Sequence, residues 1–505
     1  MSEYFGLGHS QPFLDFVDVD IDGDLPVFLD PTALLAFNTT WANECVALVQ
    51  DFFQYILSLL GANQRALAEA LVAVLREPNE THLGFSKGRA RGRGLGPTSA
   101  EWLCAALSES KAIDTGLLEH LEDTILMIPG VAGDLVSDIA TNLMREPLLA
   151  YTEEQCVGLG IPVQSNVASG PLWDPSTHRW QTHLVSQPLV PSGPLLLVPK
   201  VLARRKLEYD YDEYYRDYIL PYLMEAEIEQ KTALVRTVKS LPRVYRKDLE
   251  AKYGHGKQAV VSITQARPQL LAAYRRDKRE QRRIRRPALT HDELADTIGG
   301  ERPDIRGLLA EVVRLVPGPD DAASYHEAVY RLLTVLFHPA LSHGRKEQKI
   351  HGGLKRIDIT FDNVATSGFF QWLWQNYSAP LVFAECKNYG KELGNPELDQ
   401  MIGRFSPSRG QFGLIVCRSL EDPDRFYRRC QHAADDQHGY IVALTDEDLD
   451  SLVSNAASGT RPDQAFGVLR SRFQKLLLRA DLPVGAEEAE AVDGLGGSSP
   501  AREGV

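Results

Sequence analysis

The chain has 505 residues, 44% hydrophobic and 24% charged, which at ~150 residues per domain implies two to four domains and excludes a disordered or fibrous protein. No apolar run approaches the ~18 residues that span a bilayer, the first basic residue is Arg65 and the six cysteines form no Cys-x-x-Cys pair, so a cytoplasmic protein is expected, with no membrane partner, disulfide framework or zinc ribbon. The net charge of −14 argues against nucleic acid as a partner of the whole surface, yet residues 201–290 carry 21 Lys or Arg against 12 Asp or Glu and stand out as a segment for polyanion contact.

Residues 1–35 read as short strand-like pieces. Asp18, Asp20 and Asp22 before Gly23 resemble the start of a calcium loop, but its twelfth position, which needs a bidentate Glu, is Leu29, so a solvated strand face is expected. From Trp41 to Leu75 apolar residues recur at helical spacing, giving two amphipathic helices broken near Gly61. A glycine-rich basic loop follows at 86–96 without the Gly-Lys-Ser/Thr ending of a Walker A loop, so nucleotide hydrolysis is not supported and a surface loop is expected. Helix is expected again over 97–160, with Asp134 and Asp138 near a helix start, and then an irregular region ending in a buried strand, Leu195–Val198. No family is recognised in residues 1–200.

Residues 203–240 read as long helix on which Tyr211, Tyr215, Tyr218 and Tyr222 form one stripe, expected to pack rather than to stack on bases. Eight of the twelve residues from Arg275 to Arg286 are basic. Spread around a helix they cannot all be buried, so Arg275, Arg276, Arg279, Arg282 and Arg283 are the leading phosphate-contacting candidates. A linker is expected at 287–303. The resulting division is a mainly helical N-terminal region (1–200), a basic helical region (201–300), an α/β domain (301–482) and a disordered tail (483–505).

From residue 322 strands and helices alternate in the manner of a mixed central sheet flanked by helices: helix 322–337, an unassigned stretch, strand 356–364, helix 368–374, strand 381–387, helix 396–405, strand 413–417, helix 423–432, strand 440–444 and helix 446–453. In the first of these strands Asp358 and Asp362 share one face, opposite Ile357, Ile359 and Phe361. The next is apolar until Glu385-Cys386-Lys387, where Glu385 and Lys387 project to one side. Charged groups at the end of a buried strand are costly without partners, so Asp358, Glu385 and Lys387 mark a site. His338, His343 and His351 lie nearby but fit no zinc spacing.

This pattern resembles the PD-(D/E)XK, or restriction-endonuclease-like, nuclease superfamily, and most of all its Mrr-like branch, over residues 322–455. The resemblance implies an α/β nuclease domain attached to a mainly helical N-terminal region. It also implies a site in which Asp358, Glu385 and the Cys386 carbonyl hold Mg²⁺, with Mn²⁺ able to substitute, while Lys387 orients water. Two helical positions follow from the same resemblance: Glu327 as an additional acid and Gln400 as the polar residue of the helix after Lys387. The spacing of 27 residues from Asp358 to Glu385 is long for the superfamily, Ile357 stands where a Pro is expected, and Asp362 is a rival first ligand. Arg404 and Arg418 are expected to grip flanking phosphates. The implied activity is endonucleolytic hydrolysis of DNA in bacterial restriction or antiphage defence, with a homodimer or a defence-system protein as partner. The alternatives are an RNA or branched-DNA repair nuclease and a non-catalytic nucleic-acid-binding module.

Overall fold

The computed structural model describes residues 1–37, 39–84, 97–110, 112, 116–239, 241–282, 288–350, 355–388, 393–458 and 466–478. The basic loop at 86–96 and the tail at 483–505 lie outside the described residues.

The two helices expected near the N-terminus are Thr40–Gly61 and Arg65–Val72, and the break falls at Gly61. Thr39 starts the first by accepting the Ala42 amide at 3.1 Å. Its buried stripe, including Cys45, Val49, Phe52, Phe53, Ile56 and Leu60, joins residues from helices Pro97–Ser108, Gly133–Leu143 and Arg145–Leu159 in one core. The Asp18 carboxylate accepts from Ser2 and pairs with the N-terminal ammonium at 3.2 Å, so its charge already has a partner.

Three expectations change here. Leu195–Val198 is buried but joins no strand ladder among the described residues: the Leu196 amide donates to the Glu80 carbonyl at 2.8 Å, the Leu197 amide to Thr152 Oγ1 at 3.0 Å, and the Val198 carbonyl accepts from Val17 at 3.0 Å. A helix and loops surround it, so its backbone groups are satisfied one at a time. The helix expected over 203–240 occupies only Tyr211–Glu229 and contains a π turn at Tyr215–Ile219, followed by a short hairpin, Arg236–Val238 with Leu241–Arg243. Tyr214 and Tyr215 are buried there, while Tyr211, Tyr218 and Tyr222 pack partly against the same core, in keeping with a packing role. The expected linker contains a helix, His291–Ile298, opened by a reciprocal cap between Thr290 and Glu293, and Leu289 and Leu294 are buried with Phe16 and Leu197.

The C-terminal part is mixed α/β. Its sheet has strands β1 (Leu341–Ile350), β2 (Lys355–Asn363), β3 (Leu381–Lys387), β4 (Phe412–Cys417) and β5 (Tyr440–Leu444), hydrogen-bonded in that order. β1, β2 and β3 pair antiparallel, whereas β3, β4 and β5 are parallel. All six residues of β4 are buried, as a central strand covered on both faces requires. β3, β4 and β5 coincide with the apolar runs and β2 with the alternating segment. β1 is the unassigned stretch: as an edge strand rich in polar and charged residues it carries no apolar alternation. Helices Ile305–Arg314, Ala322–Leu336, Gly368–Tyr377, Asn395–Ile402, Pro423–Asp435, Asp446–Ala457 and Gly467–Leu478 surround the sheet. No helix among the described residues is long and apolar enough to cross a membrane.

Candidate active site

The antiparallel register of β2 and β3 pairs Ile359 with Ala384 and Asp362 with Leu381. Continued by one residue, it sets Asp358 opposite Glu385, so both side chains leave the sheet on the same face. Two crossed hydrogen bonds fit this placement: the Cys386 amide donates to Asp358 Oδ2 at 3.1 Å, and the Asp358 amide to Glu385 Oε1 at 3.4 Å. Lys387, two residues on, places its Nζ 3.8 Å from Glu385 Oε2. The group thus forms at the C-terminal end of β3, where open α/β sheets commonly place ligands. Asp362 lies four positions away along β2, paired with Arg345 and His343, and does not join the group.

Helix Asn395–Ile402 roofs this end of the sheet. It lies close because β4 has Gly413 beneath Met401, where an added Cβ would collide with the Met401 sulfur. Gln400 thereby bridges the site, its Oε1 accepting from Lys387 Nζ at 2.9 Å and its Nε2 donating to Glu385 Oε2 at 3.2 Å. Just beyond the helix, Arg404 turns inward, is 4% exposed and donates from Nε to Glu385 Oε1 at 2.5 Å. Its expected grip on phosphate is therefore corrected to that of a buried partner for Glu385, which would otherwise be an uncompensated buried charge.

His326 is the residue that sequence reasoning missed. It lies on the helix before β1, with Nε2 at 3.0 Å from Asp358 Oδ2 but out of line for a good hydrogen bond, so the contact is electrostatic. Glu327, expected there, is about 100° farther around the same helix and pairs with Lys346 at 2.5 Å, away from the carboxylates. The helical period identifies an inward face, but which of two adjacent polar residues meets β2 depends on how the helix docks.

The two carboxylates differ electrostatically. Burial raises the Asp358 carboxyl, but His326, the Cys386 amide and Lys387 outweigh it and hold the group below the usual range. Burial and the facing Asp358 charge push Glu385 up to about 7 against the pull of Arg404 and Lys387. A proton or a cation between the two groups would relieve their repulsion.

The remaining candidates lie elsewhere. Arg418 donates to the carbonyls of Val312 and Val313, both at 2.8 Å, and pairs with Asp446 at 3.1 Å, so it closes the end of helix Ile305–Arg314 instead of reaching the site. Arg275 faces inward, with ion pairs to Asp123 at 2.6 Å and Glu119 at 2.7 Å. Lys278, 2% exposed, meets Glu213 at 2.7 Å and Glu208 at 3.6 Å. The basic helix Pro268–Arg282 thus has an internal charged face, and Arg276 is exposed on it. The side chains of Arg279 and Arg282, and Arg283 and His351 altogether, lie outside the described residues. His338 is buried against the Leu289 carbonyl at 2.9 Å, and His343 sits between Glu154 and Asp362.

Residues 6–210 match a family model described as a domain of unknown function, DUF8370. The match covers less than half of the chain and includes none of Asp358, Glu385 and Lys387. Neither a curated protein nor a solved structure matches the chain.

Proposed function

We propose that the α/β part is a metal-dependent endonuclease of the PD-(D/E)XK superfamily, Mrr-like, that hydrolyses DNA phosphodiester bonds, and that the chain serves bacterial restriction or antiphage defence. The observation that carries this reading is the set of opposed carboxylates, Asp358 and Glu385, with Lys387 held beside them by Gln400. Among the described residues no group of three or more His, Cys, Asp or Glu could hold an ion. Two carboxylates still fit Mg²⁺, which keeps several waters and commonly takes only one or two such ligands. Asp358 Oδ1 accepts no hydrogen bond among the described residues, and the raised Glu385 carboxyl favours a nearby cation.

Mg²⁺ or Mn²⁺ bound by Asp358, Glu385 and the Cys386 carbonyl would supply charge neutralisation at the phosphate and an activated water. Lys387, fixed through Gln400, would orient that water and balance charge on the phosphate oxygens. Arg404 and His326 act through the carboxylates by holding Glu385 and Asp358 in place.

The test is cleavage of plasmid, linear and single-stranded DNA and of RNA by wild type, Glu385→Ala and Lys387→Ala, with Mg²⁺, Mn²⁺ or EDTA. Metal-dependent DNA cutting is expected, with Lys387→Ala slower by about 100-fold or more. Cutting indifferent to both substitutions would overturn the assignment of the site. Preferential cutting of RNA would replace the substrate, and DNA binding without any cutting would favour a binding module.

A further inference from the structure

A second site lies between the segment that matches the family model and the sheet. A cavity of about 400 Å³ is walled on one side by residues such as Phe13, Leu159 and Lys200 and on the other by Tyr330, Arg331 and Phe361. That volume suits a metabolite-sized ligand. The Tyr330 and Phe361 rings stack with centroids 6.4 Å apart, and the Arg331 guanidinium covers Phe13 at 4.7 Å.

Its cations are not alike. Arg331 pairs with Glu311, Arg345 with Asp362, Lys346 with Glu327, and His343 with Glu154 and Asp362. Lys200 has no carboxylate at ion-pair distance among the described residues. It is 2% exposed, and its Nζ donates to the Pro12 carbonyl at 3.2 Å. The nearby Asp15 carboxylate is taken up by Tyr151 Oη at 2.8 Å and the His343 amide at 2.6 Å. Burial pushes the Lys200 ammonium down to about 8, although Asp15 pulls the other way. Two further donors, Arg331 Nε and Arg345 Nε, are buried without a hydrogen-bond partner among the described residues. Arg331 and Arg345 both line the cavity, and since guanidinium N–H groups can only donate, they favour an acceptor-rich ligand there.

We infer that this cavity binds a small organic anion, with a phosphate or carboxylate seated on Lys200 and an apolar or aromatic body against Phe13, Tyr330 and Phe361. The site is separate from the carboxylate pair and does not depend on the nuclease reading. It gives residues 6–210 the role of contributing half of a ligand pocket whose other half includes β1 and β2.

The experiment is calorimetric titration and thermal melting of the full chain with millimolar phenyl phosphate, benzoate and AMP, and with adenosine as an uncharged control. At least one anion binds and raises the melting temperature, adenosine does not, and the difference between phenyl phosphate and benzoate identifies the anionic group. Lys200→Met weakens binding by about tenfold or more, as loss of a charge-assisted contact requires. Gly158→Phe tests the same cavity without touching a charge: Gly158 is an exposed lining residue at its mouth, and an added Cβ there meets no described atom within 4 Å, so a ring is accommodated where the ligand enters. If Lys200→Met does not fold, Gly158→Phe decides the matter. Absence of binding by all three anions, or undiminished binding by Gly158→Phe, overturns the inference.

Discussion

The basic helix Pro268–Arg282 and the end of β3 are the two places where charge is densest in meaning, and they resolve it in opposite ways. In the helix, inward-facing cations meet acids: Arg275 has the buried Asp123 and the exposed Glu119, and Lys278 has the half-buried Glu213 and the buried Glu208. At β3, two carboxylates of the same sign face each other, and burial with mutual repulsion drives Glu385 upward. The first arrangement pairs opposite charges, whereas the second leaves two like charges face to face beside their cationic neighbours. Charge density along a sequence therefore does not tell where charge is available; the sign of the neighbours does.

Removing one side of a completed pair should give the largest effect. Arg275→Ala leaves Asp123, 0% exposed at its side chain, buried without its cation, and is expected to lower unfolding stability by about 3 kcal/mol or more in urea titrations. A loss below about 0.5 kcal/mol would erase the distinction between the two regions. At the carboxylate pair a pH series in EDTA should show the opposite logic. A carboxyl raised from 4.5 to about 7 binds its proton more tightly in the folded state, so its contribution to stability is full below pH ~4.5 and is lost as pH rises through ~7. Asp358, held low, has the reverse sign and loses its contribution only in more acidic solution, below its usual value of 3.8. Glu385→Gln should flatten the decline between pH ~5 and ~8, a change on the order of 2 kcal/mol; an unchanged slope would show that Glu385 is not the group responsible.

A smaller effect is expected under the roof of the site. Gly413→Ala forces Met401 aside and should cost about 1–3 kcal/mol, while shifting Gln400 away from Lys387; equal stability with intact cleavage would mean that the helix position matters little. The smallest effect belongs to Arg276→Ala on the outer face of the basic helix. Its side chain is 66% exposed, so stability should change by less than about 0.5 kcal/mol. If this face meets DNA, the salt dependence of binding should fall by about one phosphate contact.

Particular residues show how far the sequence could be read. β3 and β5 fall on their predicted residues, and β2 and β4 within one residue at each end, because apolar runs bounded by charged or turn residues, and in β2 strict alternation, leave little freedom. Asp358, Glu385 and Lys387 lie together because strand parity and the end of a buried strand fix their faces, and Gln400, which only the resemblance singled out, meets them from the helix that follows. The helix His291–Ile298 was legible in Thr290-x-x-Glu293, a capping-box signal inside an apparently polar linker. β1 offered no comparable signal, because its identity as a strand comes from pairing with β2.

Local pattern alone determined the strands, the amphipathic helices near the N-terminus and the three charged residues at the sheet's end, because periodicity and burial cost act over a few neighbouring positions. Tertiary structure decided that His326 and not Glu327 meets Asp358, that Arg404 and Arg275 face inward, and that Lys200 lines a cavity with no carboxylate at ion-pair distance among the described residues. Those outcomes depend on the docking phase of a helix and on acids distant in sequence, and electrostatic partnership is set by distance in space.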